Sequence, residues 1–228
     1  MDFLNSILAY PVQNLPFILI VLLIAFTIHE FSHAYFANKF GDPTAKLLGR
    51  VTLNPASHVD LFGTLMLLIL GFGWARPVPV NRDNFSKPRL MGIIVSAVGP
   101  LSNLLIAFVG TMIYMALATN GVISAENTSK LNEAIYLFFV YLININISLF
   151  LFNLLPLPPL DGYRIVEDLA PRRFRIVLQQ YEQWAVLIFL LFVFIPPLRA
   201  ATLDPLFGLT VDIYKGFIHF YLLLTGAQ

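Results

Sequence analysis

The sequence contains one H-E-x-x-H motif, formed by His29, Glu30 and His33 within an apolar stretch. On a helix, residues four positions apart share one face, so both imidazoles can reach a single metal ion with Glu30 beside them. This spacing suits zinc, and the glutamate can take a proton from water at the metal. The alternative is a pair of buried histidines that make only helix contacts. Because ionisable groups inside a membrane are costly, the motif favours a metal site.

A catalytic zinc needs a third protein ligand and an open position for water. The chain has no cysteine, so that ligand has to be a histidine or a carboxylate. The candidate is Asp161, which follows a segment, 154–160, whose three prolines forbid regular helix. The alternative role of Asp161 is to cap the helix that the sequence predicts from about Tyr163.

Three further residues are weaker candidates. We expect His58 to hydrogen-bond backbone or to gate substrate, because a fourth protein ligand would close the water position. Gly99 and Asn103 form a G-x-x-x-N pattern in an apolar segment. The pattern is typical of a close approach beside the site, where Gly99 and Asn103 would bind or gate substrate, or of a kink with a small-residue packing face. We expect His219, near the C-terminus, at the membrane interface.

The composition defines the class of protein. Of the 228 residues, 58% are hydrophobic and only 12% are charged, with a mean hydropathy of +0.77. Such a chain cannot supply the polar surface of a soluble enzyme, and a net charge of +1 excludes a basic nucleic-acid-binding surface. The sequence therefore predicts a protein of the lipid bilayer.

Apolar runs of about 20 residues are long enough to cross a membrane as helices. Four runs qualify: 15–37, 91–118, 133–155 and 182–198. A fifth, 205–224, carries charged residues and either spans or lies at the interface. We expect an all-α polytopic fold, with a three-span catalytic core in residues 1–165 and one or two further spans in 166–228. The first apolar segment is expected to be retained, because it lacks the features of a cleaved signal.

The stretch 41–90 separates the first two spans. Its apolar part is too short to cross, and its flanks, Arg50–Leu53 and Pro77–Val80, are predicted as strands because proline disfavours helix before it. We expect a re-entrant, strand-bearing loop that could pair with an unwound substrate.

The basic residues predict the orientation, because short cytoplasmic loops are enriched in lysine and arginine. The stretch 39–89 holds seven such residues and 162–181 holds four, whereas 119–132 holds one. The N-terminus is therefore expected outside and the site near the cytoplasmic side of a plasma membrane.

Together, the H-E-x-x-H, the G-x-x-x-N and an N-x-x-P-x-P-x-x-D-G motif over 153–162 resemble the site-2 protease family of intramembrane zinc metalloproteases. The stretch 54–84 is similar to its compact prokaryotic branch, without PDZ or CBS domains. The resemblance implies one zinc per chain held by His29, His33 and Asp161, with Glu30 as general base. It implies that Asn153 positions substrate or the oxyanion, and that the substrates are single-span membrane proteins.

Two other classes of function remain open at this point. A small metal or proton transporter could use the same membrane histidines and aspartate, but it would not need Glu30. An inactive adaptor that only binds transmembrane helices is disfavoured because every catalytic position is occupied. The oligomeric state cannot be predicted from the sequence.

Overall fold

The structure is a computed structural model that describes residues 8–70, 73–124 and 128–226. Within these ranges the chain forms α-helices, short 3-10 turns and loops, and no strand. The helices are α1 (Leu15–Lys39), α2 (Thr44–Leu47), α3 (Leu61–Leu70), α4 (Pro88–Thr119), α5 (Lys130–Asn153), α6 (Asp161–Leu169), α7 (Arg172–Tyr181), α8 (Ala185–Phe194) and α9 (Pro196–Thr225).

Four of the described helices are long and apolar enough to cross a membrane: α1 with its preceding turn, α4, α5 and α9. The first three correspond to the spans predicted at 15–37, 91–118 and 133–155. The expectation of an all-α polytopic membrane protein is confirmed.

The span predicted at 182–198 is wrong as a single helix. A 3-10 turn at Glu182–Trp184 precedes α8, and α8 has only ten residues, or about 15 Å. The helix stops because Pro196 restricts the residue before it, Ile195, to extended backbone. The weaker candidate, 205–224, lies inside α9 and belongs to one of the four long helices.

The loop between α1 and α4 also differs from expectation. Neither Arg50–Leu53 nor Pro77–Val80 is a strand. Prolines 77 and 79 have no N–H group, so a regular ladder cannot form at 77–80. The N–H of Arg76 donates to the carbonyl of His58 at 2.8 Å, and the Arg50 side chain donates to the carbonyl of Arg76 at 2.5 Å.

The buried core lies where α1, α4 and α5 meet. Val21, Ala107, Ile143 and Ile147 belong to one hydrophobic cluster, and all are 2% exposed or less. A second cluster packs Leu67 of α3 against α1. These contacts fix the three helices side by side, and α6 packs on α4.

Candidate metal centre and active site

Two histidines and one aspartate converge at the junction of α1 and α6. The Nε2 atoms of His29 and His33 are 3.0 Å apart. The Oδ2 atom of Asp161 lies 3.2 Å from the first and 3.3 Å from the second. Both histidines are 7% exposed, so the three ligand atoms meet in a largely buried space.

The outer nitrogen of each histidine is committed to an acceptor. The Nδ1 atom of His33 lies 2.6 Å from the carbonyl oxygen of Val95, which can only accept. The Nδ1 atom of His29 lies 2.7 Å from Oδ1 of Asn103. The amide nitrogen of Asn103 donates to Asn146 and to the Ala25 carbonyl, which identifies Oδ1 as the oxygen. Both histidines therefore carry the proton on Nδ1 and a lone pair on Nε2.

Asp161 reaches the histidines because of the way α6 begins. It is the first residue of α6, the N-cap position belongs to Leu160, and no side chain caps this end. At Gly162 an added Cβ would overlap the carbonyl of Leu154, so glycine lets α6 start directly against the end of α5. Asp161 is thus placed among the histidines and not used as a helix cap.

The residues present fit a zinc ion. Two unprotonated Nε2 atoms cannot hydrogen-bond to each other, and Oδ2 of Asp161 is buried without a hydrogen-bond partner. The three separations of 3.0, 3.2 and 3.3 Å are close to the edge of about 3.3 Å expected for tetrahedral ligands near 2.0 Å from zinc.

Gly99 leaves room for this arrangement. A Cβ at Gly99 would overlap the imidazole of His33 and lie 2.8 Å from Nε2 of His29. Any larger residue would push α4 away from the H-E-x-x-H helix. Gly99 therefore makes the close approach beside the site that was one of its two expected roles.

Glu30 faces the loop segment 73–81. Its Oε2 atom accepts a hydrogen bond of 2.9 Å from the backbone N–H of Val78. This bond fixes the orientation of the carboxylate. Glu30 is 7% exposed and lines the same cavity as His29 and Asp161.

The cavity beside the site has a volume of about 1180 Å³ and lies between the helices and segment 73–81. Asn153, the last residue of α5, lines it, and its amide nitrogen donates to the Leu149 carbonyl at 3.0 Å. Apolar rings of Phe26 and Phe152 form part of the wall. The volume of the cavity is slightly larger than the range of about 300–1,000 Å³ that is typical of small-molecule pockets.

The two remaining histidines lie away from this cluster. His58 is fully buried, and its Nε2 atom lies 2.7 Å from the Thr52 carbonyl, so it stabilises the loop. Among the described residues, His29, His33 and Asp161 form the one group able to hold a metal ion. His219 is exposed on α9.

Sequence reasoning missed Asn146, which is fully buried in α5 and accepts a 2.8 Å hydrogen bond from Asn103. Its own amide donates to the Leu142 carbonyl. A polar residue in the middle of an apolar span was the signal that could have identified it. Asn146 holds Asn103 in the orientation that His29 requires.

An ion-pair network, also missed, fastens α6 to the loop. Glu167 and Asp168 are each 2% exposed, and Arg82 of the loop bonds both, at 3.2 and 3.1 Å. Arg175 approaches both carboxylates at 3.5 and 3.4 Å. Burial raises the pKa of Glu167, but hydrogen bonds from Gln179 and an arginine and the charge of Arg82 bring it below its ordinary value. Glu167 therefore stays ionised and holds the helix that begins with Asp161.

Comparison with known proteins gives consistent matches. A family model described as "Peptidase family M50" matches residues 17–196. Two relatives share the name "Putative zinc metalloprotease". YwhC of Bacillus subtilis is 48% identical over 203 residues, which is 89% of this chain and 91% of the relative. Rip2 of Mycolicibacterium smegmatis is 27% identical over 190 residues, 80% of this chain and 69% of the relative. No solved structure matches the chain.

Proposed function

The chain belongs to peptidase family M50 and is a zinc-dependent intramembrane protease, and on this premise we propose the role of each residue in its site. His29, His33 and Asp161 hold the zinc. Glu30 is the general base, and Asn153 binds the carbonyl oxygen of the cleaved bond. The observation that carries this proposal is the convergence of three ligand atoms within 3.3 Å of one another, with both imidazole protons directed away.

The bound zinc supplies two effects, a lower pKa of water and a polarised peptide carbonyl. Glu30 accepts the proton of the attacking water on its carboxylate and returns it to the leaving nitrogen. The N–H of Val78 holds Oε2, which leaves Oε1 to receive the proton. Asn153 uses one amide hydrogen on Leu149, and its second can donate to the developing negative charge.

Family membership implies membrane proteins as substrates. We propose single-span proteins, cut within or beside the transmembrane segment. A helical substrate has to unwind, because its carbonyls are otherwise held in hydrogen bonds. Segment 73–81 lines the cavity next to Glu30, and it is the part of the loop that an unwound substrate would lie beside.

The proposed location is a plasma membrane, with the N-terminus outside and the site near the cytoplasmic face. The distribution of lysine and arginine supports this orientation. Neither the family match nor the relatives favour the metal or proton transporter.

The test compares Glu30→Gln with wild type for metal content and for cleavage of single-span substrates in liposomes. Both forms are expected to hold one zinc, while cleavage by the variant falls by about 10²- to 10⁴-fold, the usual contribution of a general base. Glu133→Gln, an exposed carboxylate at the start of α5, is the matched control and should cleave normally. Cleavage at the wild-type rate by Glu30→Gln, or wild-type protein without zinc, contradicts the proposal.

A further inference from the structure

One side of α9 packs against the bundle. Leu203, Thr210 and Tyr221 are buried, and further inward residues contact the cluster between α4 and α5. These further residues are Leu206, Ile213, Tyr214 and Phe217. The contacts run from Leu206 to Tyr221, about 22 Å along the helix, so α9 lies alongside the core spans.

The opposite side of α9 carries polar and small residues. Gly208, Asp212, Lys215, Gly216 and His219 are all exposed. Their spacing of four, three, one and three residues places them on one face, about 180° from the buried residues. We call this surface the α9 polar face. Exposed leucine, valine and phenylalanine flank it at positions 209, 211, 220 and 223.

This face is costly if lipid covers it. Asp212 and Lys215 lie in the inner part of a 30-residue helix, about 15 to 28 Å from either end. Charged side chains at this depth are expensive in hydrocarbon and normally pair with one another or with a protein partner. Among the described residues, no partner for a hydrogen bond or ion pair within the chain is found for Asp212, Lys215 or His219.

The two glycines of the face are not explained by packing within the chain. A Cβ at Gly208 or Gly216 would meet nothing within 4 Å. Glycine weakens a helix by about 1 kcal/mol relative to alanine. Its usual benefit in a membrane helix is the close approach of a neighbouring helix, and no described helix of this chain occupies that side.

We propose that the α9 polar face is a homodimer interface, in which α9 of one copy packs against α9 of a second copy. Asp212 of each chain pairs with Lys215 of the other. A two-fold interface has to be self-complementary, and this face carries one acid and one base. Copies inserted in the same orientation have parallel helices, and the three-residue offset of about 4.5 Å brings each carboxylate within reach of an ammonium group.

The interface is separate from the catalytic site. The family match ends at residue 196, where α9 begins, and no residue of the face lines the cavity beside the metal ligands. Charge changes on the face are therefore expected to alter association without altering the metal site.

The first experiment is a charge exchange with two differently tagged copies, co-purified from cell membranes. Asp212→Lys alone or Lys215→Asp alone places like charges opposite each other, and self-association is expected to fall about tenfold. Co-expression of the two variants restores opposite charges at both contacts, so they should co-purify at the wild-type level. Thr202→Lys is the control, because Thr202 is exposed on the same helix but is turned about 100° from the centre of the face. If wild-type copies co-purify but the two co-expressed variants do not, the proposal is overturned.

The second experiment leaves Asp212 and Lys215 unchanged and introduces single cysteines, because the chain has no cysteine of its own. His219→Cys, at the centre of the face, should form a disulfide-linked dimer on oxidation in membranes, whereas Val211→Cys, turned about 80° away, should not. Equal cross-linking of both variants, or of neither, overturns the interface. Charge variants that change substrate cleavage but not co-purification would assign the face to substrate and also overturn it.

Discussion

The tautomers of the two proposed ligand histidines are decided by the hydrogen bonds of their Nδ1 atoms. A backbone carbonyl holds Nδ1 of His33, and the Asn103 amide holds Nδ1 of His29. Partners of this kind orient a metal ligand and increase its basicity, and their loss typically costs 10- to 100-fold in metal affinity or activity. We therefore propose that Asn103 is a positioning residue for the metal centre.

Replacing Asn103 with alanine tests this role. We expect zinc affinity to fall by about 10- to 100-fold, because His29 loses the acceptor that fixes its ring. Competition with a chelator, followed by metal analysis, measures the change. Ser102→Ala is the control, because the Ser102 hydroxyl bonds only the carbonyl of Gly99 in its own helix. Unchanged affinity in Asn103→Ala would show that the histidine is held without this amide.

At the scale of elements, the loop after α1 is tied to the turn before α4 by one carboxylate. Asp42 is fully buried and accepts hydrogen bonds from Thr44, Asn81 and Asn84. Gly41 precedes it with a φ of 104°, a backbone conformation that favours glycine. This connection holds the loop that carries Val78 against the end of the H-E-x-x-H helix.

The pH dependence of stability follows from Asp42. Burial raises its pKa, but hydrogen bonds from Thr44, Asn81 and Asn84 bring it below the ordinary value. A lowered pKa means that the stabilisation is complete above the unfolded pKa of about 4 and is lost as the pH falls through the folded pKa. Asp42→Asn should lower the free energy of unfolding by about 1 to 3 kcal/mol at pH 7.

Thermal unfolding in detergent at several pH values measures this effect. The difference between wild type and Asp42→Asn should shrink below about pH 4, where wild type loses the same interaction. Asp83→Asn, an exposed neighbour, should behave as wild type throughout. A difference that stays constant with pH would mean that Asp42 contributes by packing alone.

In the folded molecule the site combines three parts of the chain that are distant in sequence: α1, α4 and α6. His29 and Asp161 are 132 residues apart in the sequence, yet their ligand atoms are 3.2 Å apart. Bundle packing of α1, α4 and α5 brings them together, and the buried ion pairs of α6 hold the last ligand in place. All of this machinery is expected near one face of the membrane.

Cysteine labelling tests that orientation, because the chain has no cysteine of its own. Leu47→Cys lies at the end of α2 and is 81% exposed, and Val122→Cys follows α4 and is 54% exposed. A membrane-impermeant maleimide should label position 122 in intact cells and position 47 only in inside-out vesicles. The reverse pattern would place the metal site near the outer face.

Local sequence patterns were enough to specify the membrane class, the core spans and the candidate ligands. Hydrophobic length and the i, i+4 spacing are local properties, so they can be read without a fold. The end of α8 before residue 196 and the absent strand at 77–80 were decided by prolines, which stop helices and remove ladder donors. Which nitrogen of His29 is free, how Asn146 supports it, and which face of α9 stays unpaired depend on contacts between residues distant in sequence. Only tertiary packing specifies those contacts.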